Sequence, residues 1–130
     1  MPPEVMEQIR QRAAADSPLL EAALRSGDVP GPRYAGRCPD RYLIGVEMIR
    51  EGYLLHNGRS VLFSQDDPDL ALLTGDYLYA AGLVEICATG DLRAVRTLAR
   101  LIAECSARRG DAETAGDEPL WDEAIAGLGG

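Results

Sequence analysis

The chain contains no lysine. All of its 13 cations are arginine, which rules out Schiff-base catalysis, a lysine general base and the phosphate-gripping lysine of a P-loop. Aromatic residues are scarce, at 5%, so a core must be filled by Leu, Ala, Val and Ile, a mixture that suits helices better than a β-sandwich. The cysteines are few and odd in number. Cys38, Cys87 and Cys105 lie far apart with no C-x-x-C pair. They read as buried thiols of a reducing compartment, not as a disulfide frame or a zinc site. The N-terminal MPPEVMEQIRQR lacks the apolar stretch of a signal peptide. The longest run without a charge, Tyr77 to Val84, is too short to span a bilayer. The cytoplasm is therefore the expected location. Cationic surplus is missing too: the net charge is −8, which disfavours nucleic-acid backbones and anionic membrane surfaces as partners.

What is present is a well-punctuated helical pattern. With 130 residues, 46% of them apolar, the chain is expected to form one domain over 1–130. Pro2 and Pro3 open a first helix to about Ala15. Ser17 caps a second, Pro18 to Ser26, which Gly27 ends. Residues 27–39 hold the Pro and Gly of a loop, completing an N-terminal section over 1–38. A core section over 39–109 begins with a helix from Pro39 to Gly58, in which Tyr42, Val46, Ile49 and Tyr53 recur at helical spacing. Residues 59–66 connect it to a helix capped by Asp67 and running from Pro68 to about Thr89. Its only charges are Asp69, Asp76 and Glu85, so it is expected to be the buried centre of the bundle. Asp91 caps a helix from Leu92 to about Arg108, with Leu92, Val95, Ala99 and Ile102 inward and Arg93, Arg96, Arg100 and Glu104 on the solvated side. A polar linker and a short helix from Pro119 occupy 110–130. The fold class is thus all-α, a bundle of about six helices.

Few residues suggest chemistry. Asp76 falls on the stripe Leu72, Asp76, Tyr79, Leu83, so its carboxylate is expected to meet an apolar surface and to be structural, costly to remove. Gly75 beside it costs roughly 1 kcal/mol against Ala in a helix interior. The acidic run Asp66, Asp67, Asp69 reads as a helix cap, not a metal motif. His56 is the single histidine and marks a helix end more naturally than a catalytic base.

At these residues the sequence resembles the trans-polyprenyl diphosphate synthases. TGDYLYA, residues 74–80, is similar to their AGDYLLA helix. VEMIREGYLLHN, residues 46–57, is similar to their VELIHTASLLHDD helix. Gly90-Asp91-Leu92 follows in the family order. The resemblance covers about residues 40–105 and implies part of the isoprenoid synthase fold. In that family HDD opens a DDxxD motif whose carboxylates hold Mg²⁺ ions against an allylic diphosphate.

Here the matching positions are His56, Asn57, Gly58 and Val61, with Arg59 inside the former metal loop. The GGKRxRP string, the RRG motif and the second aspartate-rich motif have no counterpart. The resemblance therefore implies a non-catalytic relative with no catalytic residue, metal or cofactor of its own, and no prenyl transfer by the isolated chain. It would act as an accessory or regulatory subunit, packing its helices against a partner protein or a second copy. Gly75 and Asp76 would be structural, and Arg59 and Tyr79 the contacts to a ligand or partner. The alternatives are a module that binds an isoprenoid or other apolar ligand, and one subunit of a heteromeric prenyl diphosphate synthase.

Overall fold

The structure, a computed structural model, describes residues 4–109 and 116–129. Six helices make up the described fold: α1 Val5–Asp16, α2 Pro18–Ala23, α3 Asp40–Asn57, α4 Pro68–Cys87, α5 Leu92–Arg109 and α6 Asp117–Leu128. Among the described residues there is no strand, only one isolated bridge between Leu24 and Phe63. The all-α reading is correct. The prolines expected to open α1, and most of the expected 110–118 linker, lie outside the described residues.

The helix starts follow local rules. Ser17 Oγ accepts from the backbone N–H of Leu19 and Leu20 at the head of α2. Asp67 Oδ1 accepts from Asp69 and Leu70, and Asp91 Oδ1 from Arg93 and Ala94. Each cap satisfies N–H groups that a helix leaves without an internal partner. The Asp91 carboxyl is held below its ordinary range, first by the Tyr42 hydroxyl donating to it and then by these N–H bonds. Gly90, at φ +80°, makes the left-handed turn between α4 and α5. Two ends differ from expectation. Helix α2 stops at Ala23 because the chain beyond it pairs with the connector: Arg25 N–H donates to Leu62 O, and Ser64 N–H to Ala23 O. Helix α6 starts at Asp117, two residues before the proline.

The centre of the bundle is α3, not α4, which corrects the sequence reading. Between Tyr42 and Leu55 only Ile44 and Leu54 escape full burial. The expected face of Tyr42, Val46, Ile49 and Tyr53 is buried, and so is the opposite side, with Glu47, Arg50 and Glu51 at 2%, 6% and 2% exposure. Helix α4 packs one face on α3 and leaves the other open, with Leu72, Leu73 and Val84 more than half exposed and Cys87, expected to be buried, exposed at its end. Its 20 residues have the length and hydropathy of a membrane span, but a third of it is buried in the protein, and the core helix of a soluble protein passes the same test; no clear transmembrane segment follows from it. Its apolarity all round reflects two different surfaces, a core face and a bare one.

Four glycines set the distance between α3 and α4. The helices run antiparallel, with Gly45 opposite Gly82 and Gly52 opposite Gly75. A Cβ on Gly45 would stand 2.9 Å from Gly82 O, and one on Gly52 would stand 2.8 Å from Gly75 O. Each pair is two helical turns from the next, so the backbones touch at both. This close approach offsets the helix propensity that the glycines give up.

Helix α5 is rotated from its expected orientation. Ala94, Leu98, Leu101 and Cys105 are buried, whereas Leu92 is 73% exposed; Ala99 is also exposed, and Val95 and Ile102 are half-buried. The inward face lies one position away, a turn of about 100°. Arg93, Arg96, Arg100 and Glu104 are solvated, as expected.

Candidate functional site

The residues singled out by the sequence divide between two places. His56, Gly75, Asp76 and Tyr79 come together where the end of α3 crosses α4. His56 Nε2 lies 3.2 Å from Leu72 O and 3.3 Å from Asp76 Oδ1. Both neighbours are acceptors, so this nitrogen faces them as a donor. The imidazole stands edge-on to Tyr79, with ring centroids 5.2 Å apart. It also lies over the α4 backbone where Gly75 has no side chain; a Cβ there would be 2.4 Å from Nε2. Gly75 is thus the seat for His56.

Asp76 does not point into an apolar surface. Its side chain is 70% exposed and pairs with His56. An exposed pair of this kind contributes little. Asp76→Ala is therefore expected to change unfolding free energy by no more than about 0.5 kcal/mol, measured by urea denaturation. A loss several times larger would restore the structural reading of this carboxylate.

The remaining positions do not join this cluster. The Asn57 amide donates to Tyr53 O at 3.2 Å. Gly58 ends α3. Val61 is 39% exposed. Arg59 lies with Arg10 and Arg25 along a cleft of about 330 Å³. An amide already bonded to backbone, a glycine, a valine and a guanidinium offer no carboxylate, so these positions do not fit a pair of Mg²⁺ ions. Among the described residues no three His, Cys, Asp or Glu side chains converge on a point.

A second constellation lies outside the sequence-predicted residues. Glu47, Arg50 and Glu51 share one face of α3 at i, i+3 and i+4, and all three line a cavity of about 350 Å³. Met6, Pro30, Gly31, Arg33, Leu54 and Val61 complete its wall. Glu51 Oε1 accepts from Ser60 Oγ at 2.7 Å, Val61 N–H at 3.1 Å and Leu62 N–H at 2.8 Å, and so holds the 59–62 loop. Arg50 Nη2 donates to Glu118 Oε1 at 2.6 Å, and its guanidinium stacks over Tyr53 and Trp121 at 5.1 and 5.0 Å. Arg33 reaches the other oxygen of Glu118 at 3.1 Å, and its backbone N–H donates to Glu47 Oε1 at 2.5 Å. Burial pushes the Glu47 carboxyl up to about 7, and nearby Glu51 adds to this; backbone N–H bonds from Arg33 and Tyr34 and the charge of Arg50 oppose it.

Helix α6 closes this side. Asp117, wholly buried, accepts from Tyr53 Oη at 2.6 Å and from Arg108 Nε at 2.9 Å. Burial and this carboxylate raise the Tyr53 phenol. Trp121 stacks on Tyr34 at 5.8 Å. The signal for the constellation was in the sequence as Glu47, Arg50 and Glu51 on the same side of an otherwise apolar helix. Charge on a helix face reads as solvent, however, unless the partners are known.

The chain matches no protein-family profile, no curated protein and no solved structure.

Proposed function

We propose that this protein is a non-catalytic subunit that works by packing helices against a partner chain, through the outer face of α4. The observation that carries the reading is an uncovered apolar row. Leu73, Ala80, Val84 and Cys87 recur at helical spacing on the exposed side of α4, with Leu73 at 65% and Val84 at 63% exposure and Leu72 beside them at 53%. Leaving such side chains in water forgoes roughly 25 cal/mol for each Å² that a partner would cover. Asp76 is the one charge on the exposed side of this helix between Leu70 and Val84. The resemblance to the polyprenyl synthases makes a catalytically complete synthase subunit the first partner to try. The cavity under α1 has charged side chains in its wall, which suits a small polar molecule better than an isoprenoid tail.

The test is the mass of the particle in solution, alone and after co-expression with a polyprenyl synthase subunit of the same genome. Wild type is expected to exceed the 14.0 kDa of one chain in at least one of these. Leu73→Arg/Val84→Arg is expected to return it to a single chain with unchanged helix content, because a charge at a desolvated helix seam costs several kcal/mol. A wild-type monomer under both conditions would end the reading.

A further inference from the structure

The cavity over α3 is lined by a carboxyl and a guanidinium that each keep atoms without a hydrogen-bond partner. Glu47 Oε2 and Arg50 Nε and Nη1 are buried with no hydrogen-bond partner among the described residues. Glu47 is 2% exposed and Arg50 6%. Buried polar atoms are nearly always bonded, and each exception in a folded protein calls for a reason. Besides Trp121 Nε1, the exceptions are of opposite kinds, an acceptor on a carboxyl and donors on a guanidinium, one helical turn apart, and both side chains line the same cavity. Beside them Met6, Leu54 and Val61 offer apolar surface. The volume, about 350 Å³, is at the low end of clefts that hold small ligands.

We propose that this cavity binds a small zwitterion of the amino-acid type, its ammonium on Glu47, its carboxylate on Arg50 and its apolar body against Met6, Leu54 and Val61. This site is separate from the docking face of α4, and neither proposal depends on the other. A lone anion fits less well. Glu51 is about one turn from Glu47 on the same face, Glu118 already occupies Arg50 Nη2, and an anion alone would leave Oε2 of an ionised Glu47 with no donor. A lone cation would leave the two Arg50 donors unbonded. A zwitterion satisfies both and itself brings no net charge.

The two ends give the site a distinctive pH dependence. The groups around Glu47 are Arg50 and Glu51 on α3, Arg33, Tyr34 and Cys38 of the preceding loop, and Glu118 of α6 through Arg50. The carboxyl of Glu47 holds its proton below about 7. An ammonium favours the ionised form, so ligand binding at or below that pH expels this proton, and affinity rises as pH climbs through that range and then levels. A bare carboxylate bound to Arg50 would show the opposite slope, because it would favour protonated Glu47.

Titration calorimetry of the whole chain tests the proposal with L-leucine and 5-aminopentanoate as zwitterions, 4-methylpentanoate as the acid alone and 3-methylbutylamine as the amine alone. At least one zwitterion is expected to bind saturably, one per chain, and at least about tenfold tighter than either half-molecule. Between about pH 6 and about pH 8 its affinity is expected to rise, with proton release seen by comparing two buffers of different ionisation enthalpy. Glu47→Gln keeps the shape and the bond from Arg33, and is expected to weaken binding and remove the pH slope. Thermal unfolding of this variant reports whether it is folded, and Arg50→Gln gives a second, independent loss. Failure of both zwitterions to bind would overturn the proposal. So would 4-methylpentanoate binding as tightly as leucine, or a pH slope that survives Glu47→Gln.

Discussion

Gly82→Leu is expected to abolish the native α3–α4 pair, and even Gly82→Ala is expected to lower stability. The second half of this is contrary to the usual rule, since Ala in a helix interior is favoured over Gly by about 1 kcal/mol. Here a Cβ on residue 82 would stand 2.7 Å from Ile49 Cγ1 and 2.8 Å from Gly45 O. Ile49 is wholly buried and has nowhere to swing, and the carbonyl belongs to the backbone. The helices must part. Parting them also opens the contact between Gly52 and Gly75 two turns away. Overpacking of this kind costs about 1–3 kcal/mol for small additions, enough to exceed the propensity gain, and an isobutyl group multiplies the misfit. Gly127→Ala on α6 is the control, because nothing lies within 4 Å of its added Cβ; it should be neutral or slightly stabilising. Urea unfolding followed by far-UV circular dichroism measures all three. A Gly82→Ala protein more stable than the parent would show that the helices are not held at glycine contact.

Glu51→Ala is expected to cost on the order of 3 kcal/mol or more, because it orphans several buried donors at once. Ser60 Oγ, Val61 N–H and Leu62 N–H all donate to the same oxygen, Oε1. That shared acceptor makes the conservative variant informative. Glu51→Gln keeps an oxygen in place and loses only the charge assistance, so its loss should be less than half that of Glu51→Ala. The 59–62 loop is what the bonds hold, so Glu51→Ala should also speed cleavage by protease at Val61 and Leu62 in the native state. Equal losses in the two variants would mean that Glu51 acts by its charge and not as an acceptor for the loop.

The parts of this fold legible in the sequence are those decided within a few residues. Ser17, Asp67 and Asp91 were read as caps because a cap needs only its own side chain and the N–H groups two or three positions on. The face of Tyr42, Val46, Ile49 and Tyr53 was legible from spacing. The depth of α3 was not. Glu47, Arg50 and Glu51 look solvent-facing by type, and their partners are remote in sequence: Arg33 behind, Ser60 to Leu62 ahead, and Glu118 at the far end of the chain. Helix α4 was misread for the complementary reason. Its composition does not distinguish a face covered by α3 from a face left open. On α5, apolar residues spread over a broad arc, and the buried edge, Leu98 and Leu101, joins a core cluster with Ile86 of α4 and Trp121, Ile125 and Leu128 of α6, which composition does not encode. Of the candidate residues, His56, Gly75, Asp76 and Tyr79 do meet in space, although the burial expected of Asp76 was wrong. The cavity over α3 lay outside what a linear reading finds.

The matched glycines also constrain how this protein can diverge. In an ordinary core pair, one side chain may grow if its neighbour shrinks. At a contact between two glycines no such exchange exists, since neither residue has anything left to give up. Positions 45, 52 and 82, where an added Cβ would stand under 3.0 Å from a backbone carbonyl, are therefore expected to stay fixed for as long as a descendant keeps this helix pair, whereas position 75 can change if His56 shrinks. Two glycines seven apart on one helix and a third on its antiparallel neighbour form a short signature. It would pick out distant homologues whose remaining residues have drifted beyond detection.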